Sequence, residues 1–203
     1  MHKQFKSPDK HFIEGQFKTT KKPKTPNPKN KNYYQLALKK DDYISKCSYI
    51  HSDGKRCKLK LGLYPTYCHL HTMLIENVYI SKSQIEKAGN GLFAGPYGFK
   101  KGNIIGKYSN KSNSAKLGEI KNRCKNDKCW SYVFCDIGHT DNTMCWDGLD
   151  IRSTIMRNIN DAHKSKFRNN SYFDILDGEV YVIASKDIKP LTEIFVNYGK
   201  IYW

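Results

Sequence analysis

Long apolar runs are absent from this sequence, which excludes one whole class of protein. No stretch approaches the roughly 20 consecutive apolar residues that a helix needs to cross a bilayer. The chain opens with Met1-His2-Lys3-Gln4 and shows no pattern of a secretory signal peptide. We therefore expect a soluble, intracellular protein with no membrane partner.

Acidic residues are few compared with basic ones. The 203 residues include 19 Asp and Glu against 35 Lys and Arg, which gives a formal net charge of +16 at pH 7. This excess of positive charge favours acidic partners such as nucleic acid or an acidic protein surface. The alternative is a surface that serves only solubility.

Residues 1–44 lack the apolar content of a folded segment. Between Met1 and Asp42 the chain carries eleven lysines, no arginine and four of its seven prolines. Such a segment cannot bury enough apolar surface to offset its ordering entropy, so we predict a disordered basic arm. Its Lys-Lys-Pro-Lys run at residues 21–24 favours nuclear import or binding to phosphates, and an inert linker is the alternative.

The cysteines number seven, an odd count. Without a signal peptide, this favours a reducing compartment, with metal ligation or free thiols rather than disulfides. Four of them are interpreted as ordinary reduced thiols: Cys124, Cys129, Cys135 and Cys145. A second metal site that includes Cys124 and Cys129 is the alternative for that pair.

Residues 45–73 carry the ligand set of a closed tetrahedral Zn²⁺ site, three thiolates and one imidazole. These ligands are Cys47, Cys57, Cys68 and His71. Because so short a segment has almost no core, a bound metal would supply its folding energy, and we predict a structural zinc module. His51 and His69 are competing ligands, and reduced structural thiols are the alternative. The spacing resembles short Cys3His modules described as potential DNA-binding domains.

The remainder, residues 76–203, has no sustained helical period and reads as short strands. Strands are predicted at 78–81, 92–94, 103–108, 130–135, 172–176, 180–184 and 193–198. Short turns of helix are predicted at 114–121 and 151–156. A Lys189-Pro190 turn is expected to join the last two strands into a hairpin. We predict a mostly β domain of small sheets.

The end of the chain resembles the closing motif of the SET domain, the fold of most protein lysine methyltransferases. The matching positions are Ala184, Asp187, Ile188, Glu193, Tyr198 and Gly199, with Ile194 at the leucine of the motif and Val196 at its phenylalanine. In that family the tyrosine lines the channel where a target lysine meets the methyl donor, which implies this role for Tyr198. The resemblance also implies small curled sheets with a C-terminal pseudoknot.

Three further stretches resemble SET motifs in the family's order: residues 87–94 with their continuation at 102–108, residues 157–162 and residues 169–173. Residues 87–94 resemble its glycine turn, which implies that Lys87, Gly89, Asn90 and Gly91 wrap S-adenosylmethionine. Residues 102–108 resemble the segment that carries a second channel tyrosine, here Tyr108. Residues 169–173 resemble the loop through which the C-terminal strand passes, which would bring Asn160 beside Tyr198.

Residues 157–162, Arg-Asn-Ile-Asn-Asp-Ala, resemble the family's cofactor-binding asparagine motif. The resemblance implies that Arg157, Asn160 and Asp161 contact the cofactor. Asp161 stands where histidine is commoner, and the main-chain groups of that residue largely hold the adenine in the family. Trp203 is expected to cover the cofactor or the channel mouth, and a hydrophobic cap on a sheet end is the alternative.

These resemblances imply a protein-lysine N-methyltransferase that depends on S-adenosylmethionine and acts in the nucleus or on chromatin. Its substrate would be a protein with a target lysine, and histones are one candidate. Tyr198 and Tyr108 would orient the amine. The alternative is an inert SET-like interaction module that binds nucleic acid through its basic arm and zinc module.

Overall fold

The computed structural model describes residues 46–109, 111–124, 130–136, 140–148 and 154–199. These residues belong to one compact unit that spans Gln35–Trp203. The predicted basic arm, Cys129 and Trp203 lie outside the described residues. Each of the two described α-helices has seven residues, and neither has the length and apolarity to span a membrane.

The described chain is mostly β, as predicted. Its strands are β1 (Val78–Lys82), β2 (Asn90–Ala94), β3 (Ile104–Ser109), β4 (Ser114–Lys116), β5 (Val133–Cys135), β6 (Met144–Asp147), β7 (Ser171–Leu176), β8 (Glu179–Ala184) and β9 (Glu193–Ile194). The helices are α1 (His69–Ile75) and α2 (Leu117–Arg123), with 3-10 turns at Lys111–Asn113 and Met156–Asn158. The strands form three antiparallel sheets in the orders β1-β2-β9, β3-β8-β7 and β4-β6-β5.

The prediction of a C-terminal hairpin is wrong. Strand β8 pairs with β3 and β7, whereas β9 pairs with β2 in another sheet. The Lys189-Pro190 turn therefore carries the chain from one sheet to the next. Residues 114–116, predicted as part of a helix over 114–121, form strand β4 instead, and helix α2 begins at Leu117. Helix α1 and strand β6 were not predicted, because each is too short to show a clear periodicity.

The main core lies between the first two sheets. On β8, Val180 and Val182 are completely buried, and each such side chain contributes about 1.5–3 kcal/mol of transfer free energy. Tyr64, from the cysteine-rich segment, packs in the same core and accepts a hydrogen bond from Ile80 N at 3.1 Å. The cysteine-rich segment is thus attached to the edge strand β1.

The C-terminal segment is inserted between two earlier segments, the arrangement predicted as a pseudoknot. Phe195 forms a parallel bridge with Asn160, and Val196 forms one with Ser171. The buried Asn170 side chain ties this insertion: its Oδ1 accepts from Phe195 N at 2.9 Å, and its Nδ2 donates to the carbonyl of Glu193 at 2.9 Å.

Substituting Asn170→Ala is expected to lower the free energy of unfolding by about 2–4 kcal/mol, because two buried backbone groups lose their partner. Denaturant unfolding of the full chain measures this. Asn142→Ala, at an exposed position whose amide bonds only to a lysine amine at 3.3 Å, is the matched control and should cost less than about 0.5 kcal/mol. Equal effects of the two substitutions would contradict this role of Asn170.

Cys135 and Cys145 form a disulfide, and Cys124 is disulfide-bonded as well, so the expectation of reduced thiols is wrong at these three positions. Cys135 and Cys145 are directly opposed partners on β5 and β6, with Cα atoms 4.0 Å apart. This proximity arises from the pairing of the strands, which the sequence did not reveal.

Candidate active site

The side chains of Tyr198 and Tyr108 line the same cavity. The Tyr198 hydroxyl donates to the carbonyl of Ile159 at 2.5 Å, and its backbone N donates to Asp161 Oδ2 at 2.8 Å. Tyr108, at the end of β3, is buried, and its hydroxyl donates to the carbonyl of Tyr132 at 2.8 Å. Both phenol hydroxyls are therefore anchored at backbone carbonyls, and Tyr198 is also held at its backbone N.

A small cavity lies between the two phenols. Its lining residues are Tyr108, Ser131, Val133, Phe134, Arg157, Ile159, Phe173 and Tyr198. The Phe173 ring lies 4.9 Å from that of Tyr108 and 4.8 Å from that of Phe134, measured between centroids. Aromatic faces attract organic cations, and apolar walls favour the neutral form of an amine. Aromatic rings of four residues line much of the cavity.

Arg157 adds a positive charge to the wall of this cavity. Its guanidinium lies 4.2 Å from the centroid of the Tyr132 ring, a cation–π arrangement. A nearby positive charge also disfavours the protonated form of an amine.

The glycine turn lies against Asn160. Gly89 has a φ of +74°, which favours glycine. The Asn160 Nδ2 donates to the carbonyl of Asn90 at 2.8 Å and lies 3.3 Å from Glu193 Oε1. A Cβ at Gly91 would lie 2.1 Å from the same carboxylate oxygen, so this position requires glycine. The turn, Asn160 and β9 are thus packed together.

Glu193 matches the closing motif, but the sequence comparison assigned it no role in the site. It is completely buried, and its carboxylate accepts from Ser83 Oγ and from Gln84 N, both at 2.7 Å. The sequence does contain one signal for this residue, an acidic side chain within an apolar strand. A buried carboxylate needs hydrogen-bond partners, so such a residue is expected to bond to other parts of the chain. Through these bonds Glu193 links the segment before the glycine turn to Asn160.

A family model of the SET domain matches residues 89–199. The chain belongs to the SET domain family. A search of curated proteins gave no significant match.

Several solved structures are similar to this SET domain. The methyltransferase domain of human PR domain-containing protein 2 is 21% identical, with 60% of this chain and 76% of that chain covered and a TM-score of 0.45. CpSET8 from Cryptosporidium is 18% identical, with 61% and 57% covered and a TM-score of 0.47. Polycomb Repressive Complex 2 of Chaetomium thermophilum, bound to S-adenosylmethionine in an autoinhibited conformation, is 27% identical, with 60% and 15% covered and a TM-score of 0.45. The chain therefore spans less than two thirds of the length of the second and third structures.

The residues of the SET domain fit the cofactor that the family implies. Asn90 Oδ1 is buried and has no hydrogen-bond partner among the described residues. Buried amide oxygens are nearly always bonded, so this atom is suited to accept from a ligand donor such as the ammonium of S-adenosylmethionine. It lies between the two glycines of the turn, where the resemblance expects the methionine part.

Most of the expected site residues fall into two groups. Gly89, Asn90 and Asn160 lie together at the glycine turn, and Arg157 lies with the two tyrosines at the cavity. Lys87 precedes the turn with an exposed side chain and a φ of +64°. Asp161 is buried, and its side chain bonds to protein groups, including Tyr198 N. Trp203 lies outside the described residues.

The four residues of the predicted Cys3His cluster lie close together in the structure. The ligand atoms of Cys47, Cys57, Cys68 and His71 all lie within 4.8 Å of one another. His71 Nδ1 is 3.3 Å from the sulfurs of Cys47 and Cys68, and Cys68 begins helix α1 as its N-cap. The competing ligands His51 and His69 are not part of the cluster.

The surroundings of this cluster suit metal-bound thiolates. Backbone N–H groups point at two sulfurs, Cys68 N at Cys47 Sγ (3.1 Å) and Leu59 N at Cys57 Sγ (3.4 Å). Burial raises the pKa of the Cys68 thiol to about 11, so a metal must displace its proton. At Cys47 burial also raises the pKa, but hydrogen bonds outweigh it and the net shift is downward. This donor set fits Zn²⁺ with four protein ligands and no open position.

Proposed function

We propose that this chain is a protein-lysine N-methyltransferase that uses S-adenosylmethionine. The observation that best supports this is the convergence of the glycine turn, Asn160 and Tyr198. Asn160 bonds to Asn90 within the turn, and Tyr198 bonds to the residues on either side of Asn160. A cofactor site and a lysine channel would therefore share one short segment.

The proposed organisation has a basic arm over residues 1–44, a structural zinc module over 45–73 and the SET domain over 76–203. The proposed cofactor-binding residues are Lys87, Gly89, Asn90, Gly91, Arg157, Asn160, Asp161, Tyr198 and Trp203. Four protein ligands around the zinc leave it a structural role, since a catalytic site keeps one position open.

The catalytic residues of this proposal are Tyr198 and Tyr108. A lysine ammonium, with a pKa of about 10.4, has no lone pair and must lose a proton before it attacks. Desolvation in the cavity and the nearby Arg157 guanidinium favour the neutral amine. The two phenols, held at fixed carbonyls, would orient that amine, and the bound cofactor supplies an electrophilic methyl group on a sulfonium.

The proposed substrate is a histone or another protein of chromatin. The net charge of +16 does not steer the enzyme to a free basic tail, but it suits recruitment by nucleosomal DNA. We accordingly propose a location in the nucleus, with the basic arm contacting nucleic acid.

Methyl transfer from radiolabelled S-adenosylmethionine tests the function. The full chain is incubated with nucleosomes, free histones and a cell extract, and label is measured on each protein and located by acid hydrolysis. Label on a histone lysine is the expected result. Label confined to non-histone proteins would exclude the histone substrate. Cofactor binding without any labelled protein would favour an inert interaction module.

A further inference from the structure

The Asp161 side chain is surrounded by hydrogen-bond donors. It is 7% exposed, and its carboxylate accepts from Tyr198 N at 2.8 Å, from Asn169 Nδ2 at 3.0 Å and from His163 N at 3.0 Å. Hydrogen bonds to an ionised acceptor are about twice as strong as neutral ones. This carboxylate therefore ties the C-terminal segment to two parts of the loop that follows Asn160.

Residues 159, 160 and 161 contact different parts of the site. Asn160 lies in a β-bridge, where successive side chains point to opposite sides. Its carboxamide bonds to the glycine turn and Glu193, whereas the Asp161 carboxylate bonds to Tyr198. The carbonyl of Ile159 accepts the Tyr198 hydroxyl. Tyr198 is thus fixed at its backbone by one residue and at its hydroxyl by another.

We propose that the side chain of Asp161 positions Tyr198 by holding the backbone of that tyrosine, whereas the proposed cofactor contact of this residue is made by its main chain. This proposal depends on the proposed function in one respect, namely that Tyr198 orients the target amine. A carboxylate has about four lone-pair sites and accepts three donors, whereas a neutral imidazole has one acceptor nitrogen. The aspartate at this position can therefore accept all three donors at once, whereas histidine, commoner in the family, could accept only one.

The substitution Asp161→Asn tests this in the full chain. All three partners are N–H donors, so an amide NH₂ must face at least one donor whichever way it is turned. Amide hydrogen exchange at Tyr198 should accelerate at least tenfold. The kcat of methyl transfer should fall at least tenfold, while the Kd of S-adenosylmethionine stays within about threefold. Asp187→Asn, at an exposed ion pair with Lys100, is the matched control and should change none of the three.

The exchange measurement separates this proposal from the proposed function. If the parent transfers no methyl group, the function fails, but exchange at Tyr198 still tests the contact. Unchanged exchange at Tyr198 in Asp161→Asn would overturn the positioning role, as would a large loss of cofactor affinity with kcat unchanged. Should the variant fail to fold, the parent alone decides: a Tyr198 amide that exchanges as fast as an unprotected one overturns the proposal, and a protected one supports it.

Discussion

Tyr198→Phe is expected to reduce methyl transfer by about 100-fold or more, because it removes the hydroxyl that is anchored at the carbonyl of Ile159. Misplacement of reacting groups by about 1 Å is enough for such a loss. The substitution removes one atom from a half-buried side chain, so the fold and the affinity for S-adenosylmethionine should change little. The single-turnover rate of methyl transfer at saturating cofactor measures the effect.

Tyr97→Phe is the matched control for this experiment. Tyr97 is 62% exposed and lies outside the cavity, so its variant should retain the parent's rate. A Tyr198→Phe enzyme with the parent's rate would remove Tyr198 from the catalytic residues, even if methyl transfer itself were established.

His71→Ala is expected to lower the affinity for zinc by more than about 100-fold. Loss of a residue that hydrogen-bonds to a metal ligand typically costs about 10–100-fold in affinity, and loss of a ligand itself should cost more. Loss of the metal should unfold residues 45–73, since zinc modules of this size are folded by their metal. Tyr64 packs in the main core, so the melting temperature of the SET domain should fall as well. Competition with a chromophoric chelator and thermal unfolding measure the two effects.

His51→Ala is the control that removes a neighbouring imidazole. The His51 ring lies 5.4 Å from the His71 ring, between centroids, but His51 is exposed and is not one of the clustered ligands. Its variant should bind one zinc with the parent's affinity. Equal loss in both variants would contradict the ligand assignment, and a parent that binds no zinc would contradict the metal site.

The sequence was sufficient to predict features that depend on residues close together in the chain. The Cys-x2-His pair, the closely spaced Gly89 and Gly91 and the terminal Tyr198 are short patterns whose spacing carries their meaning. These patterns predicted a mostly β SET fold, and the family match confirms it. They also predicted the residues of the Cys3His cluster, which the structure brings together.

The sequence was insufficient where a role depends on distant pairing. Glu193 bonds to Ser83, 110 residues earlier in the chain, and no local pattern indicates this. Strands β8 and β9 are close in sequence, yet they pair with different sheets, so a hairpin was the wrong inference. The Cys135–Cys145 disulfide likewise depends on the register of β5 and β6.

The proposed role of Asp161 concerns a part of the residue that the resemblance did not address. The resemblance assigns its main-chain groups to the cofactor, and the side chain in this structure bonds to Tyr198, Asn169 and His163. These contacts depend on the residue type, because a carboxylate accepts several N–H donors and a neutral histidine ring has one acceptor nitrogen.

The central claim is that Gly89, Asn160 and Tyr198 converge on a site for S-adenosylmethionine. Calorimetric titration of that cofactor into the full chain tests it most directly, with Asn160→Ala and the exposed Asn142→Ala compared under the same conditions. The account predicts one bound cofactor per chain in the parent and in Asn142→Ala, with affinity reduced at least tenfold in Asn160→Ala. A parent that binds no cofactor, or an Asn160→Ala variant that binds it unchanged, would contradict the account.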